Sequence, residues 1–244
     1  LEYSELYNCG EGDRAHQVYM ATDEVAHPGS IFRMQYCYVH DGKGGNNVKS
    51  RAERNEIYYN WIEGAYSHEL ELIDSDDRNT PPNLKREDSD VVGNVLIKKR
   101  DNTFVARLGG EGSGTGGTNG RYRFVNNTII QRNSATFCLF EGVESIEMHN
   151  NIIIRSGSGN APIVRKAEVE WKNGEQISGS NNYLETELTG VPTQWTGTIR
   201  GSEDIFADLA QNDLTPKAGS LVINAGNPSP QTPVNYPFPS PLFP

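Results

Sequence analysis

The 244-residue sequence predicts an all-β protein, a single-stranded, right-handed parallel β-helix over residues 1–227 with long loops, followed by an extended Pro-rich tail over 228–244. Three observations carry this expectation. A short Asn-centred motif recurs along the chain. A second set of short segments, several of them alternating apolar and polar residues, falls between its copies. No helical periodicity runs long enough for a bundle or a coiled coil.

The motif is two or three strand-like residues, an Asn, then two to four apolar residues. Its copies are Ile57-Tyr58-Tyr59-Asn60-Trp61-Ile62, Val91-Val92-Gly93-Asn94-Val95-Leu96-Ile97, Phe124-Val125-Asn126-Asn127-Thr128-Ile129-Ile130 and Met148-His149-Asn150-Asn151-Ile152-Ile153-Ile154. Asn182 centres a weaker copy, and Cys37 and Ser4 fill the Asn slot upstream. From Ser4 onward the slots are separated by 33, 23, 34, 33, 24 and 31 residues. A fixed motif at variable intervals means stacked strands joined by loops of changing length, and the slot count implies roughly seven to nine coils. Asn suits a tight bend because it tolerates left-handed backbone angles. In stacked coils its amides can also bond one another as a ladder.

A second strand precedes each slot. The candidates are His16–Met20, Asn47–Arg51, Glu69–Ile73, Thr103–Arg107, Thr136–Phe140 and Pro162–Arg165. Two strands per coil, parallel from coil to coil with β-branched residues stacked inside, describe the solenoid.

With these residues in view, the chain resembles the right-handed parallel β-helix repeat proteins of bacteria, the pectate-lyase-like superfamily. The stretches that carry the likeness are Asn46-Asn47-Val48-Lys49-Ser50-Arg51-Ala52 with Asn60-Trp61-Ile62-Glu63-Gly64, and Asp204–Asp208 through Leu214–Ser220 to Asn224-Ala225-Gly226, similar to a last coil. Lys49-Ser50 shortly before Asn55 is also similar to the Lys-Ser…Asn element of alginate-lyase and chondroitinase-B-type polysaccharide lyases. There the Lys is the expected base, which the resemblance implies for Lys49 alone. An Arg-His-Gly element in the following coil is missing, with Glu69-Leu70-Glu71-Leu72 in its place. The fold hosts lyases, hydrolases, epimerases and non-enzymes, so the likeness speaks to fold and not to activity.

Two insertions interrupt the repeat. Residues 74–90 are charged and carry Pro81-Pro82, and residues 109–120 hold seven glycines in twelve. Such loops line one face of a solenoid. The glycine run lacks the Gly-Lys-Ser/Thr of a phosphate loop. The tail, with seven prolines in seventeen residues, is expected to lie extended along the solenoid or to lead to a further module. Leu1 reads as already within a strand, without a capping helix, so a missing N-terminal segment or a capping partner is expected over that end.

Charge and cysteines narrow the function. With 22 basic and 32 acidic residues the net charge is −10, against a nucleic-acid partner, and no apolar run is long enough to span a membrane. Cys9, Cys37 and Cys138 are odd in number and scattered, which favours buried thiols over a disulfide framework or a zinc site. No cofactor is specified.

Alternation points Val48 and Ser50 inward and Lys49 and Arg51 outward. With coils about 4.8 Å apart, Tyr19, Lys49, Arg51, Glu69, Glu71 and Arg107 should form one exposed polar column, with His40, Asp41 and His68 in adjoining turns. A straight column fits an extended polysaccharide. The set suits β-elimination on a uronic acid: Lys49 as base, Tyr19 or Arg51 as acid, and Arg51 or Arg107 neutralising the carboxylate. Glu71, Arg107, His40 and His68 are the further ligand contacts. The plain alternative is a solvated face of cross-coil ion pairs. Asp74, Asp76 and Asp77 cluster as hydrolytic carboxylates would, but without a hydrolase signature or the spacing of a calcium loop. Tyr36, Tyr38, Tyr58, Tyr59, Trp61, Tyr66, Trp171 and Trp195 offer sugar-stacking rings for a third class, a glycan-binding protein without catalysis. Either reading places the protein outside the cell or in a periplasm.

Overall fold

In the computed structural model, which describes residues 1–74, 88–110, 118–159, 162–166, 171–202 and 204–242, each Asn-centred motif is a corner between two strands. The residue before the Asn takes the left-handed conformation, with φ of 54° at Tyr36, 56° at Tyr59, 68° at Gly93, 57° at Asn126, 58° at Asn150 and 55° at Asn181. The ladder Asn itself is thus not the left-handed residue, and its side chain is free to turn inward.

There it forms the ladder. Asn60 Nδ2 donates to Asn94 Oδ1 at 2.9 Å, Asn94 to Asn127 at 3.0 Å, Asn127 to Asn151 at 2.9 Å and Asn151 to Asn182 at 3.0 Å. Each Oδ1 also accepts a backbone N–H from the preceding coil, beginning with Cys37 at 3.0 Å from Asn60. All five amides are buried and use both donor and acceptor, which keeps their desolvation from costing stability.

Because the corner splits the motif, each coil has three strands and not the two expected. Sheet I holds Val18–Ala21, Val48–Arg51, Leu70–Ile73, Ala106–Gly109, Phe137–Leu139 and Val164–Lys166. Sheet II holds Ile31–Gln35, Arg54–Tyr58, Asp88–Val92, Arg121–Val125, Ser145–His149, Ile177–Ser180 and Trp195–Thr196. Sheet III holds Glu5–Tyr7, Tyr38–His40, Trp61–Glu63, Val95–Ile97, Thr128–Gln131, Ile152–Arg155, Tyr183–Glu185 and Ile199–Gly201. Every pairing within these sheets is parallel, so the chain forms a stacked solenoid consistent with a parallel β-helix. The six intervening segments read from the sequence all fall on sheet I.

The core lies between the sheets as columns. Val39, Ile62, Leu96, Ile129, Ile153 and Leu184 are in register on sheet III and wholly buried. Met34, Ile57, Val91, Phe124 and Met148 form the matching column on sheet II. Each such side chain contributes about 1.5–3 kcal/mol of burial. Val48 and Ser50 point inward as expected.

Three local differences from the sequence reading stand out. Leu1 precedes the first strand, Glu5–Tyr7, although Glu2 bridges to Gln35. A further corner at Gly197-Thr198 opens the last strand of sheet III without an Asn. The stretch 204–216 is not another parallel coil: Phe206–Asp208 and Asp213–Pro216 pair antiparallel, and Ile205 and Phe206 pack on Ile97, Ile130, Ile154 and Tyr183 outside sheet III.

From there the chain turns back along the solenoid. Asn181 Nδ2 donates to the Ala225 carbonyl at 3.1 Å, and Asn150 exchanges two hydrogen bonds with Asn227, both 2.8 Å. Phe238 and Leu242 then pack on Tyr58, Tyr59, Val92 and Val125, and the Tyr59 hydroxyl donates to the Pro241 carbonyl. No helix among the described residues is long and apolar enough to cross a membrane.

Candidate functional site

Sheet I presents the expected column. Register pairs Tyr19 with Lys49, Lys49 with Glu71, and Glu71 with Arg107. It continues to Cys138 and Arg165, which the sequence reading left out.

The column is not the exposed strip that alternation suggested. Lys49 is 8% exposed, Arg51 3% and Glu71 4%. Long charged side chains one strand spacing apart reach sideways, pair and cover one another's stems. Lys49 Nζ lies 3.3 Å from Glu71 Oε2, Arg107 Nη1 bonds Glu71 Oε1, and Asn46 Nδ2 donates to Oε2 at 2.5 Å. Burial alone would raise the Glu71 carboxyl, but Lys49 and Arg107 outweigh it and hold it below the usual carboxylate range. Glu69 is wholly buried inside the fold and does not belong to this column.

Arg51 bonds away from the column's centre. Its Nε donates to the Tyr19 hydroxyl at 3.1 Å and its Nη1 to the Asp74 carbonyl at 2.8 Å. Tyr19, about half exposed, also has its ring 5.5 Å from Lys49 Nζ. Arg107 lies over the Phe140 ring at 4.1 Å. Alternation missed Asn46 because it precedes its strand, and His16 because counting it into the strand put it on the inner face with Val18, whereas the strand begins only at Val18. The Asn46 N–H donates to His16 Nδ1 at 2.8 Å, and burial followed by the Lys49 charge lowers the His16 pKa.

The two histidines expected as ligand contacts separate. His68 borders the column, stacked on Phe104 with ring centroids 5.5 Å apart, and burial pushes its pKa down to about 4. His40 stands on sheet III, away from the column, with its ring stacked on both Tyr7 and Tyr38. Burial would lower the His40 pKa, but hydrogen bonds to Asp41 at 2.8 Å and Glu5 at 3.1 Å outweigh it and raise it. The expectation that it adjoins the column is therefore corrected: a corner puts His40 on a different sheet.

Asp76 and Asp77, and the body of both insertions, lie outside the described residues. Among the described residues no group of three or more His, Cys, Asp or Glu is placed to hold a metal ion. All three cysteines are free; Cys37 and Cys138 are buried and Cys9 is exposed, unlike the expected buried thiol. Burial pushes the Cys138 thiol up to about 11, which removes it as a nucleophile at neutral pH.

A second polar face went unnoticed. On sheet II, register aligns Arg33, Glu56, Asp90, Arg123 and Glu147. The alternation Arg121-Tyr122-Arg123-Phe124 was its visible signal. Arg33 pairs with Glu56 at 2.6 Å, Arg54 with Asp90 at 2.6 Å, and Arg123 with Glu147 at 3.4 Å. The returning tail crosses this face and leaves two clefts, one of about 360 Å³ and one of about 370 Å³. Set against known proteins, the sequence matches no family model, no curated protein and no solved structure.

Proposed function

We propose that this chain is an exported, carbohydrate-directed protein, a right-handed parallel β-helix of the pectate-lyase-like kind with roughly seven to nine coils, and that it binds an extended glycan without cleaving it. The right-handed winding rests on the near-universal hand of parallel crossovers. Straight columns of donors and acceptors at the strand spacing support an extended ligand. The observation that carries the non-catalytic reading is the state of Lys49: its amine lies against Glu71 at 3.3 Å, in a carboxylate that Arg107 also grips, with little of it open to solvent. A general base must reach the proton that it removes.

One observation favours a second reading, a polysaccharide lyase acting on uronic acids. Tyr19 brings its hydroxyl to Arg51 at 3.1 Å and its ring beside Lys49, so a base and two proton donors share one patch. In that reading Lys49 takes the C5 proton, Tyr19 or Arg51 protonates the leaving oxygen, and Arg107 neutralises the sugar carboxylate. Incubation with alginate, pectate, chondroitin and glucuronan, followed by ultraviolet absorbance of the unsaturated product, separates the two. Retention on a glycan array without that absorbance supports binding alone. Absorbance that grows with time and disappears in Lys49→Ala overturns it in favour of the lyase.

A further inference from the structure

The outer face of sheet II has the elements of a ligand groove. Five charged side chains, Arg33, Glu56, Asp90, Arg123 and Glu147, follow one another in register. At about 4.8 Å per strand the line spans about 19 Å. Its floor is rigid: Arg54 and Asp90 are wholly buried and paired, and the Tyr236 ring from the tail covers Arg54 at 3.9 Å. Its ends are open: Arg33 is about half exposed and Glu147 about a quarter exposed. The tail forms the roof, and Asn235 and Tyr236 line both clefts, one toward Arg123 and Glu147, the other toward Arg33 and Glu56. Both clefts have the volume of small-molecule sites, about 300–1,000 Å³.

Charge selects the ligand. On this face four arginines, Arg33, Arg54, Arg121 and Arg123, meet three described carboxylates, Glu56, Asp90 and Glu147, so the groove is nearly neutral in a chain of net charge −10. Within a screening length, about 8 Å, a polyuronate or a polycation would meet charges of both signs already paired with one another, so neither gains a net attraction. Hydroxyl groups, which both donate and accept, suit alternating guanidinium and carboxylate partners.

We propose that the two clefts are subsites of one groove for an uncharged oligosaccharide, on either side of Tyr236. This rests on the glycan reading above, but moves the contact to another face and names an uncharged sugar. Calorimetric titration with gluco-, xylo- and manno-oligosaccharides and with oligogalacturonate tests it on the whole chain, on Asn235→Trp, on Glu147→Gln and on the distant surface variant Asp101→Asn. Asn235 is exposed and lines both clefts, so the added ring crowds them without entering the core. At least one uncharged saccharide binds, Asn235→Trp weakens it about tenfold or more, Glu147→Gln weakens it as well, and Asp101→Asn leaves it unchanged. Binding of an uncharged sugar that neither groove variant alters overturns the groove and leaves the glycan reading standing. Binding of oligogalacturonate alone overturns the groove in favour of the Lys49 column. Binding of nothing overturns both.

Discussion

Lys49 and Glu71 are partners across adjacent coils: the ammonium lies 3.3 Å from Oε2, on a carboxylate whose other oxygen bonds Arg107. One acid thus holds two bases on a face with little access to water. Such a carboxylate is hard to remove, because its loss leaves two cations facing each other across it.

Glu71→Gln is therefore expected to destabilise the fold by about 3 kcal/mol or more. Lys49→Met should cost much less, since Arg107 and Asn46 still bond the carboxylate. Urea unfolding of both variants measures this. Equal, small losses would mean that the pair is screened like a surface ion pair.

Asn127 donates to the Val91 carbonyl and to Asn151 Oδ1, and accepts from the Asn94 backbone N–H and side chain. Replacing it with Leu strands buried partners on both neighbouring coils, at about 1–3 kcal/mol for each unsatisfied group. The loss in unfolding free energy should exceed that for Asn133→Leu, a side chain bonded only at the exposed surface.

Neighbouring His68 and Glu69 should make stability respond to pH in opposite senses. Burial raises the Glu69 carboxyl from 4.5 to about 7, so the folded state keeps a proton that the unfolded state has released, and stability falls as pH rises across that window. Burial lowers His68 from 6.5 to about 4, so stability instead falls as pH drops through that range. Between pH 4.5 and 6.5 the two slopes oppose each other. Relative to the unaltered chain, the slope of urea midpoint against pH over that interval should therefore be more positive in Glu69→Gln and more negative in His68→Gln, the other titrating groups being common to all three. Parallel profiles for all three would refute the assignment.

Gly93 combines a φ of 68° with a neighbour in the way: an added Cβ would meet the Tyr59 ring at 2.7 Å and the Leu242 carbonyl oxygen at 3.0 Å. Gly93→Ala should cost about 2–3 kcal/mol and loosen the tail, seen as faster hydrogen exchange of the Phe238 amide, which bonds Thr232 Oγ1 in the packed tail. Gly174→Ala is the comparison, with a φ of 79° and open space around it. It should cost only about 1 kcal/mol.

Much of the fold was legible because its signals are local. The Asn slots and the sheet I segments announce themselves in a few residues each, as with Glu69–Ile73 against the observed strand Leu70–Ile73. Sheet II was hidden because the motif was counted as one strand per coil: in Phe124-Val125-Asn126-Asn127-Thr128 the left-handed bend at Asn126 separates the sheet II strand that ends at Val125 from the sheet III strand that begins at Thr128. The column of Tyr19, Lys49, Glu71 and Arg107 followed from alternation alone, yet its burial did not. Alternation says which way a side chain leaves the sheet, whereas exposure depends on what the adjacent coils lay across it. Seven prolines likewise marked an extended tail but not its resting place, which depends on Phe238 and Leu242 meeting Tyr58 and Tyr59.

A stack of coils is close to a one-dimensional chain in which each unit feels only its neighbours, and such chains melt from their ends. Here the ladder bonds join residues 24 to 34 apart, while the tail joins Tyr59 to Pro241 across 182 and Asn150 to Asn227 across 77. That return path ties early coils to late ones, so fraying at one end is felt at the other. The molecule should therefore unfold as one cooperative unit rather than unravel coil by coil, with the strap setting the sharpness of the transition.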